Sequence, residues 1–299
     1  MASPPRPPIG PQGQFVAEEL KRRVRISKNL AQIKHKVIVA SGKGGVGKST
    51  VAVNLSAELA KRGYRVGILD MDLTGPDVPF LLGLTKVSMR NSETPGAIIP
   101  VVTPELGIKV ISIAFLLPDD GTPVVWRGPM KTHALTQFLG DVEWGPLDFL
   151  IIDLPPGTSD EPLSVAQNIR DADGVIVVTT PQGVATLDVR KAIGFARMLK
   201  LRCLGVIENM SGFTCPHCQK AYSIFGAQGG GKALAEATTV PFLGAVPLDI
   251  EVLSKADEGR PFVLSMPDSE ATKAFVGIVD NLLHSLNEPS QRPTKEASA

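Results

Sequence analysis

The chain has little cysteine, few aromatic residues, almost no net charge and no long apolar run. Three cysteines in 299 residues do not make a disulfide framework, so a reducing, cytoplasmic setting is expected, with cysteine kept for chemistry or packing. Lys and Arg number 31 against 30 Asp and Glu. That balance leaves no global field for nucleic acid or an anionic membrane, and neither is expected as a partner. No apolar run approaches the roughly 18 residues that span a bilayer. The opening MASPPRPPIGPQG lacks the apolar core of a secretory signal. With 43% hydrophobic and 20% charged residues, the composition is that of a globular chain with a packed core.

Residues 1–35 read as a basic, partly disordered N-terminal extension. Segment 1–36 carries eight Lys/Arg and two Glu. Its first 13 residues are rich in Pro and Gly and predict disorder. From Gln14 on, Val16, Leu20 and Val24 stand at helical spacing and predict a solvated helix lying on the body. Residues 36–286 form the main domain, and the polar stretch 287–299 reads as a flexible tail. Within the domain, KVIVAS (36–41), RVGILD (65–70), DFLIID (148–153), GVIVVT (174–179), LGVIEN (204–209) and FLGAVP (242–247) are nearly continuous apolar runs. Such runs mark strands buried on both faces. Helical patterns fall near 48–61, 130–139, 185–199, 231–237, 249–258 and 268–286. The alternation predicts an α/β fold, a doubly wound, mostly parallel sheet with helices on both faces. Segment 84–125 is less regular, with AIIPVVT (97–103) and IKVISI (108–113) as extra strands or a lid.

The strand KVIVAS runs into Gly42-Lys43-Gly44-Gly45-Val46-Gly47-Lys48-Ser49-Thr50 and then into a helical stretch. This is G-x-x-x-x-G-K-[ST] in its required setting. Glycines let backbone N–H groups converge on phosphate oxygens, and the helix N-terminus adds partial positive charge. Lys48 is placed to bridge the β- and γ-phosphates of ATP, Ser49 to ligate Mg2+ and Thr50 to reach the α-phosphate. Lys43, at the front of the loop, is placed to reach a phosphate in a facing subunit, as an arginine finger does in trans. With that front lysine, KGGVGKST resembles the deviant Walker A motif of SIMIBI-class ATPases, which include the Min and Par ATPases and the Mrp family. The resemblance implies a nucleotide-sandwich homodimer in which Lys43 contacts the partner's nucleotide.

RVGILD ends in Asp70-Met71-Asp72, at the ligand-facing end of a parallel strand. Asp72 is placed to orient or deprotonate the attacking water, and the resemblance makes it the switch I aspartate. DFLIID ends in Asp153, a Walker B pattern that would hold Mg2+ through water, with Asp72 and Ser49 beside it. Residues 154–160 then read as switch II. Asn209 ends LGVIEN, where an amide suits adenine; the resemblance gives it base reading and sets Pro247 and Asp249 beside the base. The run Gly229-Gly230-Gly231-Lys232 lacks the following Ser/Thr and reads as a helix N-terminus.

Cys215-Pro216-His217-Cys218 admits three readings. One is a structural zinc, which needs four ligands. A second is a redox pair, which should open a helix after a strand. In the third, two cysteines from each half of a two-fold dimer surround one iron–sulfur cluster or zinc. The segments GKGGVGKST, VVWRGP, IIDLPPGTSD, ENMSGFTCPHC, IFG and VPFLGAVPLD together resemble the Mrp-type iron–sulfur cluster carriers over roughly residues 36–285. The resemblance implies ATP binding and slow hydrolysis. It also implies a 4Fe–4S cluster bridging Cys215 and Cys218 of two copies, and transfer to apo-proteins alongside cluster assembly factors. A Min/Par-like positioning ATPase and a zinc-stapled dimeric ATPase stand as alternatives.

Overall fold

The computed structural model describes residues 11–73, 75–85, 87–94, 96–117, 128–157, 162–163, 168–169 and 171–287. The main sheet is built from β1 (Ile33–Ser41), β2 (Val66–Asp70), β5 (Val101–Val102), β6 (Lys109–Ile111), β7 (Leu147–Asp153), β8 (Gly174–Thr179), β9 (Cys203–Glu208) and β12 (Phe242–Ala245). Their order is β12-β9-β8-β1-β7-β2-β6-β5. Every pairing is parallel except β5 on β6. The expected doubly wound sheet is therefore present, with β8, β9 and β12 on one side of β1 and β7, β2, β6 and β5 on the other. The irregular segment resolves into two-residue strands, β3 (Arg90–Asn91), β4 (Ile98–Ile99) and β5, with β6 from the IKVISI run. VVWRGP falls largely on residues outside the described set.

Alternation along β1 splits the core in two. Val37 and Val39 join α2 (Lys48–Lys61), α3 (Val78–Leu81), α8 (Phe262–Ser265) and α9 (Glu270–Asn287) through Val51, Leu55, Val78, Phe262, Phe275 and Ile278. Ile38 and Ala40 face the other way, toward α4 (Gly128–Gly140) and α5 (Gly183–Met198), through Leu135, Phe138 and Ile193. Successive strand side chains point to opposite faces, so a continuous apolar run fills both layers at once. In α9 the apolar stripe Phe275, Ile278, Val279 and Leu282 is wholly buried, so it is core and not a membrane-binding face. No helix among the described residues is long and apolar enough to cross a membrane.

Helix α1 spans Pro11–Leu30, so part of the stretch expected to be disordered is helical. Proline is tolerated in a first helical turn, where its missing N–H has no helical partner to lose. Leu20 and Val24, the stripe picked out by spacing, are 62% and 60% exposed. The helix docks instead by its last two turns, through buried Ile26 and Leu30. Asn29 Nδ2 donates to the carbonyls of Leu139 and Val142 at 3.0 and 2.8 Å, closing the end of α4. Strand β1 starts at Ile33, three residues ahead of the expected Lys36, because α1 delivers the chain straight into the sheet.

At the far end of the sheet, Arg65 grips Asp148 by its Nε, its Nη2 and its backbone N–H. These bonds pull the Asp148 carboxyl down to about 2. A depressed carboxyl contributes stability above its unfolded value and loses it as pH falls through the folded one. Asp148→Asn should therefore lower the urea midpoint near neutral pH. The gap to wild type should close between about pH 4 and about pH 2.

Candidate nucleotide site and cysteine hairpin

Strand ends in register set the site. Asp153 pairs with Val39 of β1 and with Asp70 of β2, so both carboxyl groups open beside the loop that leaves β1. The loop turns into α2 through Gly47 at φ 78, a left-handed conformation open to glycine and disfavoured for other residues. A Cβ on Gly47 would collide with Asn209 Nδ2, while one on Gly45 (φ 77) meets nothing. The loop thus leans on β9 with one glycine and presents another outward.

Lys48 is buried and donates to Asp153 Oδ1 at 2.7 Å and to Ser49 Oγ at 3.2 Å. Asp70 accepts from Ser112 Oγ at 2.8 Å and from the Asp72 backbone N–H at 3.1 Å. Burial and the neighbouring Asp153 push the Asp70 carboxyl well above the ordinary range, while Lys48 opposes the shift. Burial likewise raises Asp153, against the pull of Lys48. One lysine thus holds two buried acids. Among the described residues, Asp153 Oδ2 is buried without a hydrogen-bond partner. That orphan acceptor, beside the Ser49 hydroxyl, fits the outer shell of a hydrated Mg2+, whose ligands are oxygens and retained waters. Asp72, almost buried, accepts from Gly75 N–H at 3.2 Å. Leu154 N–H bonds Val39 O at 3.0 Å and Gly157 N–H bonds Ser41 O at 2.9 Å. The start of the expected switch II is thereby tied to the end of β1, where the phosphate loop begins; residues 158–160 lie outside the described set.

Other predicted residues sit differently. Lys43 Nζ donates to Gln182 Oε1 of its own chain at 2.7 Å; Gln182 precedes α5, and spacing gave no hint of it. Asn209 Nδ2 donates to Val46 O at 3.0 Å, so its amide is engaged on the phosphate loop. Asp249 accepts from Glu251 N–H at 2.9 Å as the N-cap of α7 (Ile250–Asp257), an ordinary capping role. Pro247 lies half-buried between β12 and that cap. Gly229–Gly231 open α6 (Gly230–Thr238), as expected of a helix N-terminus.

The cysteine pair tips a hairpin of β10 (Phe213–Thr214) and β11 (Ala221–Tyr222), and opens no helix. Cys215 N–H bonds Lys220 O at 3.0 Å, and Gln219 N–H bonds Cys215 O at 2.9 Å. Backbone N–H groups of Cys218 and His217 aim at the Cys215 sulfur and lower its thiol. Such a turn is shaped for a thiolate, the form that binds metal. Cys215 is half-buried and Cys218 exposed. Cys203 lies at the opposite end of β9 from Glu208, and burial pushes its thiol up to about 11. No group of three or more His, Cys, Asp or Glu side chains placed to hold a metal forms among the described residues, so the hairpin brings two cysteines together without a third such ligand beside them. Glu208, which the sequence reading passed over, is fully buried. It accepts from Ser211 Oγ at 2.5 Å, Gly229 N–H at 3.1 Å and Gly231 N–H at 2.5 Å.

A parallel sheet with this loop, this lysine and these strand-end acids defines a P-loop NTPase. The chain belongs to the ParA-type family described as the NUBPL iron-transfer P-loop NTPases, whose model matches residues 32–283. An iron–sulfur cluster carrier protein of Methanocaldococcus jannaschii is 51% identical over 259 residues, 87% of this chain and 87% of its own. The cytosolic Fe–S cluster assembly factor nubp2 of Danio rerio is 46% identical over 261 residues, 87% of this chain and 97% of its own. A nucleotide-binding protein of Archaeoglobus fulgidus, solved with ADP, superimposes with a TM-score of 0.73 at 40% identity, covering 85% of this chain and 96% of that one.

Proposed function

We propose that this protein is an ATP-binding and hydrolysing carrier that holds a 4Fe–4S cluster between two copies of itself and passes it to apo-proteins, working with cluster assembly factors in the cytoplasm. The observation that carries the reading is the hairpin: a Cys-x-x-Cys turn with backbone donors on Cys215 supplies two cysteine ligands, and a two-fold dimer would supply four. Exposed Tyr222 and Ile224 flank it and suit burial against a second copy.

In the nucleotide site, Lys48 leaves Asp153 for the β- and γ-phosphates of ATP, while Gly42, Gly44, Gly45, Val46, Gly47 and Thr50 line the phosphate cradle. Ser49, Asp72 and Asp153 would hold Mg2+, which would supply charge neutralisation at the transferred phosphoryl group. Asp72 orients the attacking water. Asn209, Pro247 and Asp249 form the base end. Lys43 releases Gln182 and reaches the nucleotide of the second copy. Lys43→Ala should keep ATP affinity within about twofold but lower turnover by about 1,000-fold, the lower range for a finger residue supplied in trans. A phosphate-release assay reads this, and an unchanged rate removes Lys43 from that role.

Metal and sulfide analysis of protein isolated anaerobically tests the function as a whole. About four irons and four sulfides per dimer are expected. Zinc in their place would establish the zinc-stapled dimer and overturn the carrier.

A further inference from the structure

We infer that Glu208 is a positioning residue that couples the phosphate loop to the cysteine hairpin within one chain. A fully buried carboxylate is costly unless well bonded, and no lysine or arginine pairs with this one among the described residues. Its donors lie at both ends of the segment that carries the cysteines. Ser211 stands at the entry, and Gly229 and Gly231 stand at the exit. One carboxylate therefore closes the base of the whole excursion, with the N-terminus of α6 adding favourable partial charge.

The next residue makes the other contact. Adjacent strand residues point to opposite faces. Glu208 turns toward α6, and Asn209 turns toward the phosphate loop, donating to Val46 O at 3.0 Å. Gly47 sits so close to Asn209 that a Cβ would have no room. Met210 follows at φ 57, a left-handed conformation that non-glycine residues adopt rarely, so the connection is tight where it leaves the strand. A second line runs beside it. Lys43 bonds Gln182, and a Cβ on Gly230 would come within 3.0 Å of the Pro181 carbonyl. The exit of the hairpin segment thus rests on the same turn that holds the front lysine. Movement of Val46 or Lys43 toward phosphates acts directly on the base of the cysteine hairpin. The use of this coupling in cluster delivery rests on the carrier reading; the coupling itself does not.

The test reads Cys215 directly. Its rate of alkylation by iodoacetamide is followed by peptide mass spectrometry on full-length, cluster-free protein, with and without ATP. In wild type the rate should change by about fivefold or more, the low end of coupling between sites. Glu208→Gln places an amide N–H against a backbone donor; it should bind ATP within about twofold of wild type while the rate ratio falls below about 1.5. A ratio unchanged in this variant, or no ATP effect in wild type, overturns the inference. Should Glu208→Gln fail to fold, Ser211→Ala removes one donor and leaves both backbone bonds. It is expected to at least halve the ratio, and an unchanged ratio overturns the inference equally. Wild type that shows the ATP effect but takes up no iron would defeat the carrier and leave the coupling standing. Iron uptake without an ATP effect would do the reverse.

Discussion

Lys48→Ala is expected to abolish useful ATP binding and to weaken the fold at the same time. The lysine is buried against Asp153 at 2.7 Å, with Asp70 beside it. Losing its contacts to the phosphates should lower ATP affinity at least about 100-fold, or about 2.7 kcal/mol. Stripping one partner from a buried pair leaves an uncompensated charge, with a cost on the order of 3 kcal/mol. The two effects separate in the double variant Lys48→Ala/Asp153→Asn. It carries no unpaired Asp153 charge, so its stability should lie above the sum of the single losses, while ATP binding stays absent. The stability loss also has a pH sign. Both acids are already raised by burial, and without Lys48 they rise further. An acid raised in the folded state contributes stability that is fully present below its unfolded value and is lost as pH rises through its folded one. Urea unfolding of Lys48→Ala should show a larger deficit at about pH 8 than at about pH 5. An alanine variant with wild-type affinity for ATP would remove Lys48 from the site.

Cys215→Ser should empty the protein of iron with the fold intact. A serine hydroxyl stays protonated where a thiol with a lowered pKa gives thiolate, and its oxygen is a hard ligand where iron–sulfur clusters take soft ones. Iron per dimer should fall from about four to below a tenth of that, with the visible absorption of the cluster gone. The thermal midpoint should stay near wild type, because Cys215 is half-buried at a hairpin tip and outside both hydrophobic clusters. Iron content equal to wild type would place the cluster elsewhere.

The parts of the site that could be read in advance are those whose chemistry is contiguous. The run from Gly42 to Thr50, the apolar strand closing on Asp153, and Cys215 with Cys218 each carry their geometry within a few residues of chain. The strands at 174–179 and the helix at 48–61 appear at the expected bounds, because a continuous apolar run or a 3.6-residue period is itself the local signal. Periodicity reached its limit at α1. It identified Leu20 and Val24 as sharing a face, but which face meets the body depends on where α4 lies, and that face belongs to Ile26 and Leu30. Asp249 shows the same limit, since an acid ahead of a helix caps it whatever else lies nearby.

By itself the sequence determined the class of protein: a phosphate-loop motif before a helix, acids at the ends of parallel strands, and a closely spaced cysteine pair. Only the tertiary structure decided how these pieces touch. Lys43 with Gln182 joins residues 139 positions apart, and Asn209 with Val46 joins residues 163 apart. Such contacts follow from strand order, which brings β1, β8 and β9 side by side. The reason is that a motif needs only short-range backbone geometry, whereas a buried carboxylate such as Glu208 is legible only when the N–H groups that satisfy it have been brought to it by the fold.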